Sequence, residues 1–76
     1  MIATFYSHYG AMKFKKDIEK LGGEATLMPV PRAVSSSCGT CVKFEEIEGY
    51  EAFVSDEVEQ IYCWDEEEGL WKQKLN

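Results

Sequence analysis

Between Ser7 and Gly23 the chain carries one amphipathic helix pattern, with strand-like segments on either side of it. Ala11, Phe14, Ile18 and Leu21 follow at steps of three, four and three, which aligns them on one helix face. Lys13, Lys15, Lys16, Asp17, Glu19 and Lys20 fill the other face. Ser7 suits the N-cap, and Gly22-Gly23 suits the stop. Before the helix, the β-branched and aromatic residues of "IATFY", Ile2 to Tyr6, read as a strand. After it, "EATLMPV" resumes as a strand that Pro29 and Pro31 break. A strand, a crossover helix and a strand in this order lie parallel, with a right-handed connection. The rest of the chain must then build around that unit.

Downstream, "TCVKFEE" alternates, so Val42 and Phe44 face the core while Cys41 and Lys43 face away. In "IEGYEAFVSDEVEQ" the spacing of Tyr50, Phe53 and Val54 predicts a short second helix near Gly49 and Ser55. Glu59 to Trp64 reads as a strand and "DEEEG" as a turn. "LWKQKL" reads as an optional last strand that hairpins back and sets Trp71 against Trp64. The expected fold is therefore α+β, a ferredoxin-like split β-α-β (βαββαβ) with an extra C-terminal strand. It forms a single domain over residues 1–76. Third-strand residues then fit between the two parallel strands. The turn after the first strand and the loop between the second and third come to the same end of the sheet. The start of the first helix (Ser7, His8, Tyr9, Gly10) is expected beside that loop.

The loop is the unusual part of the chain. "MPVPRAVSSSCGTCVKF", residues 28–44, holds both prolines, three consecutive serines and two of the three cysteines. The thiolate is the reactive form of cysteine, and a free thiol with a pKa of about 8.5 is mostly protonated at neutral pH. Reactivity therefore calls for donors or positive charge nearby. The loop offers the hydroxyls and N–H groups of Ser35, Ser36 and Ser37, the N–H of Gly39 and the guanidinium of Arg32. The N-terminus of the first helix, near His8, adds partial positive charge. Gly39 leaves room beside Cys38 for another molecule's sulfur.

Other readings of the same residues stand beside this one. Serine and glycine are ordinary turn residues, and cysteine is often a small buried hydrophobe. The C-G-T-C spacing of Cys38 and Cys41 also occurs in thiol-disulfide oxidoreductases, where the first cysteine opens a helix; here a β-rich segment follows. Zinc could draw on Cys38, Cys41, Cys63 and His8, but only one closely spaced pair exists where structural sites show two. Cys63, between Tyr62 and Trp64, reads as a packing residue. His8, the only histidine, reads as a surface or capping residue unless the loop lies against it.

Charge narrows the range of partners. Residues 1–44 hold six Lys/Arg against three Asp/Glu, or +3; residues 45–76 hold two against eleven, or −9. The net charge of −6 argues against bulk nucleic-acid binding, which needs a basic surface. The acidic run reads as a solvated face. No stretch is long and apolar enough for a membrane helix. The first ten residues lack the features of a signal peptide. A cytoplasmic protein with reduced thiols is expected.

The combination of "ATFYS", then "LMPVPRAVSSSCG", then an alternating strand resembles the small bacterial Se/S carrier protein-like family. The likeness covers about residues 2–64 and is strongest from Pro29 to Gly39. It implies a carrier rather than an independent enzyme, with no cofactor and no resident metal. Cys38 of the "CG" pair would bear a persulfide or perselenide. A sulfur or selenium donor such as a cysteine desulfurase would load it, and an acceptor protein would unload it. Cys41 stands where an apolar residue is usual, and the tail from Asp65 is extra. Cys41 is expected as a resolving thiol for Cys38. The alternative is a redox-sensing or metal-binding module built on the Cys38/Cys41 pair.

Overall fold

The strand at the centre of the sheet is the one the chain makes first. In the computed structural model, which describes residues 1–34 and 36–75, β1 (Ile2–Phe5) is buried along its whole length. It pairs antiparallel with β3 (Thr40–Phe44) on one edge, with Thr4 opposite Cys41. On its other edge it pairs antiparallel with β4 (Val58–Asp65), with Thr4 opposite Gln60. β2 (Ala25–Pro29) lies outside β3, and β5 (Leu70–Gln73) lies outside β4. The order across the sheet is β2-β3-β1-β4-β5, and each neighbouring pair is antiparallel. The fold is thus α+β, with one α-helix and a five-stranded antiparallel sheet. This order is compatible with the ferredoxin-like plan.

The helix α1 (His8–Lys20) has the expected ends. Ser7 has extended backbone, and its hydroxyl accepts from the Gly10 N–H at 3.1 Å. At the other end the N–H groups of Gly22 and Gly23 donate to the Glu19 and Ile18 carbonyls, closing a paired C-terminal cap. Ala11, Phe14 and Ile18 are buried against the sheet, so the periodicity read from sequence marks the packed face. Phe5, Phe14, Phe44 and Tyr50 form a chain of aromatic contacts, with ring centroids 5.4, 5.1 and 5.5 Å apart.

Tyr50 belongs to the segment expected as a second helix. That segment forms only a single 3₁₀ turn, η1 (Tyr50–Phe53). Gly49, left-handed at φ +92°, and extended Val54 bound the segment to about one turn, so the crossover from β3 to β4 spends it on seating Tyr50. Strand β2 departs from expectation as well. Its pairing runs through Pro29, opposite Thr40, and continues as the Val30 N–H donates to the Gly39 carbonyl. Proline is tolerated there because β2 is an edge strand with one side unpaired.

The far face of the sheet is not simply a solvated surface. Ile2, Val34, Cys41 and Tyr62 form a second buried cluster there, with Met28, Val30 and Trp71 packed against it. Val34 comes from the serine-cysteine loop, so that loop folds over the face opposite α1. The last hairpin forms as expected. Trp64 pairs with Trp71 across it at 5.3 Å, and the Asp65 side chain accepts from the N–H groups of Glu67 and Glu68.

Ser7 joins two tasks, because its hydroxyl also donates to a Glu57 carboxylate oxygen at 2.9 Å. Ser7→Ala removes the helix cap and this link together. The expected loss is about 1 kcal/mol, read as a lower urea midpoint with an unchanged slope.

Candidate functional site

The site begins where β1 ends. The Ser36 hydroxyl donates to the Phe5 carbonyl at 3.3 Å, which ties the loop to the C-terminal end of β1. Ser36 Oγ also accepts from the Cys38 N–H at 3.4 Å and lies 3.9 Å from Cys38 Sγ. The Cys38 thiol donates to the Thr40 carbonyl at 3.4 Å. Cys38 is half-buried, and its inner side packs against the main core. Gly39 follows with φ of +75°, a left-handed conformation that a side chain would strain. Nothing lies within 4 Å of where a Cβ would sit on it. The glycine therefore sets the turn, and its own Cβ position is open.

The loop is held from β4 by a residue that nothing in its local pattern singles out. Glu59 accepts from Ser37 twice, from its N–H at 2.9 Å and from its hydroxyl at 2.7 Å. Glu57, two residues earlier, reaches Ser7 at the helix start, and its carbonyl accepts from the Tyr6 N–H at 3.1 Å. A Cβ on Gly10 would come within 2.8 Å of the Glu57 side chain, so the absent side chain permits this approach. The run "SDEVEQ" looks like solvated acid in one dimension. Only the pairing of β4 with β1 brings Glu57 and Glu59 opposite serines. Their spacing of two was the available signal, and it has no meaning until a partner strand is known.

The β1 turn and the cysteine loop do meet at one end of the sheet, as expected. The helix N-terminus there is already answered by the Ser7 cap and the Glu57 carboxylate. Arg32 and His8 are exposed, and among the described residues the hydrogen bonds of the Cys38 thiol go to neither. Ser35 lies outside the described residues. Among those described, no three His, Cys, Asp or Glu side chains come together as a metal-ligand set.

Cys41 is placed differently from Cys38. It is 0 % exposed in the cluster on the far face, and its thiol lies 3.8 Å from the Pro29 carbonyl. It faces away from the main core, as alternation predicted, but onto packed side chains rather than water. Cys38 packs towards the α1 side. The two cysteines of the C-G-T-C segment thus pack against different clusters. Burial pushes the Cys41 thiol pKa up, and neighbouring Cys38 adds to the rise. Cys63 is at the opposite end of the sheet. It lies three residues beyond Gln60, whose row through Thr4 contains Cys41, while Cys38 lies three residues away in the other direction. The separation along the strands is about 20 Å.

Two outcomes are expected from this geometry. In native protein, iodoacetamide modifies Cys38 while Cys41 stays protected until the chain unfolds; peptide mapping reads both. A raised thiol pKa in the fold stabilises the protein below the ordinary thiol pKa and is lost as pH climbs. Unfolding free energy should therefore fall on the alkaline side, and Cys41→Ala should flatten that decline. Separately, Glu59→Gln leaves one acceptor oxygen where two are used and removes a negative charge beside the loop. The Ser37 amide should exchange about tenfold faster or more, and Cys38 alkylation at neutral pH should accelerate.

The comparisons with known proteins agree with the site's sequence. The family described as "Putative Se/S carrier protein-like" matches residues 1–63 of the 76. The match takes in β1, α1, the serine-cysteine loop and β4 as far as Cys63, and leaves β5 outside. Neither curated proteins nor solved structures supply a match. With 63 of its 76 residues inside the match, the chain belongs to the Se/S carrier protein-like family.

Proposed function

We propose that Cys38 carries sulfur, or selenium, as a persulfide or perselenide between a donor and an acceptor protein. The observation that carries this reading is the surroundings of Cys38 Sγ. The thiol is half-buried, the residue after it is a glycine whose own Cβ position is open, and a hydroxyl that can turn its proton lies 3.9 Å away. Family membership supports the same reading. So does the strand order, which fits a ferredoxin-like plan whose second helix has shrunk to one turn.

The transfer is a displacement at sulfur. The Cys38 thiolate attacks the outer sulfur of a donor persulfide; a new S–S bond forms on Cys38 and the donor's S–S bond breaks. The donor leaves as a thiolate and takes up the proton, with no net oxidation. In the resting thiol, the S–H donates to the Thr40 carbonyl. On ionisation the Ser36 hydroxyl can turn from the Phe5 carbonyl towards the sulfur and stabilise it. Ser35, Ser37, Arg32 and His8 remain candidates for steadying the charge of the extended persulfide anion, whose outer sulfur reaches further into solvent than Sγ. Unloading reverses the step: an acceptor thiolate attacks the outer sulfur and Cys38 departs. An acceptor protein suits this role better than Cys41, which is buried on the other face.

Incubation with a cysteine desulfurase and cysteine, followed by intact mass measurement, tests the reading. The expected result is a gain of one sulfur atom that reductant removes. It should be absent in Cys38→Ser and present in Cys41→Ala and Cys63→Ser. A sulfur adduct that survives Cys38→Ser would refute the assignment.

A further inference from the structure

The face of α1 that points away from the sheet is not uniformly polar. Tyr9 is 69 % exposed and Met12 42 % exposed, and Tyr6, just before the helix, is 58 % exposed. Tyr9, Met12, Lys13 and Lys16 line one groove of about 210 Å³. Their spacing of three, four and seven residues puts them on a single helix face, opposite buried Ala11, Phe14 and Ile18. Lys15 is engaged by Glu19 at 2.9 Å, whereas Lys13 and Lys16 form no ion pair among the described residues. The groove therefore combines apolar anchors with two free positive charges, on a chain whose net charge is −6.

Its position is informative. Tyr9 lies in the first turn of α1, and that turn starts at the end of β1 to which Ser36 fastens the Cys38 loop. The whole molecule measures 32 × 25 × 22 Å. A standard protein interface covers about 800 Å² on each partner. A partner seated on Tyr9 and Met12 with that footprint reaches the Cys38 end of so small a domain. Aromatic residues and methionine are enriched at interface centres, and a rim of like charge selects a partner of opposite charge.

We propose that this groove docks the protein persulfide donor that loads Cys38, and that the donor presents an apolar patch rimmed by carboxylates. The proposal rests on the carrier reading of Cys38. Lys13 and Lys16 attract the donor locally against the net negative charge of the domain. Tyr9 and Met12 supply the buried anchors of the complex. The outer sulfur then passes to Cys38 by the displacement already described, within the docked pair.

The test loads the full chain by two routes, from inorganic polysulfide and from a cysteine desulfurase with cysteine. Three forms are compared: wild type, Tyr9→Ser with Met12→Gln, and Lys13→Glu with Lys16→Glu. All four positions are exposed, so both variants should keep the fold, which circular dichroism verifies. Polysulfide, too small to use the groove, should load all three at one rate. The desulfurase should load both variants about tenfold more slowly or worse. Raising salt to about 0.5 M should slow only the protein route in wild type. Equal desulfurase rates for the three forms would overturn the docking assignment and leave the carrier reading intact. The same holds if wild type accepts sulfur from polysulfide but not from the desulfurase. Failure of Cys38 to take sulfur by either route would overturn the carrier reading itself.

Discussion

The ladder that seats β1 between β3 and β4 is the constraint on which the other features depend. Ile2–Phe5 are buried, and Ile2, Ala3 and Thr4 are paired on both edges. Because Thr4 stands opposite both Cys41 and Gln60, the start of β3 and the start of β4 come to the end where β1 stops. The cysteine loop precedes β3, the acidic segment precedes and opens β4, and α1 follows β1. Three segments far apart in sequence thus meet within a few ångströms. A shift of one residue in the β1–β3 register would turn Cys41 towards α1, and one in the β1–β4 register would carry Glu59 away from Ser37.

What assembles at that end is held largely by carboxylates. Glu57 takes the Ser7 hydroxyl beside a helix N-terminus, where negative charge is favoured. Glu59 takes both donors of Ser37. These bonds fix the approach to Cys38, whose own neighbours are a carbonyl and a rotatable hydroxyl. Lys13 and Lys16, without an ion pair among the described residues, lie a turn or two along α1 beside exposed Tyr9 and Met12.

The two cysteines of the C-G-T-C segment are separated by the pleat. Cys41 belongs to the regular part of β3 and points to the far face, where it packs with Ile2, Val34 and Tyr62. Cys38 precedes the strand, in a turn that Gly39 reverses, and packs towards the helix side. Close spacing in sequence therefore does not place them in one cluster. Val34 anchors the same loop to the Cys41 cluster, so the loop grips the sheet on one face and packs Cys38 towards the other.

The sequence by itself determined the local elements: the α1 face from Ala11 to Ile18, the Ser7 cap, the strands, the Trp64–Trp71 hairpin and the unusual Cys38 loop. Each is a matter of periodicity, capping or turn chemistry within a few residues, and such signals are written in order along the chain. Sequence also brought the β1 turn and the loop to one end, because crossover handedness leaves little choice. The tertiary structure alone decided that the second crossover keeps a single 3₁₀ turn, since the room left beside Tyr50 depends on how Phe44 and Phe14 pack. It alone decided that Pro29 stays in its strand, because only the sheet order makes β2 an edge. It decided, too, that Cys41 is sealed and that Glu57 and Glu59 are clamps rather than solvated charge. Those outcomes rest on contacts between residues tens of positions apart, and a lone glutamate or cysteine reads the same in sequence whether its neighbour across the sheet is water or a serine.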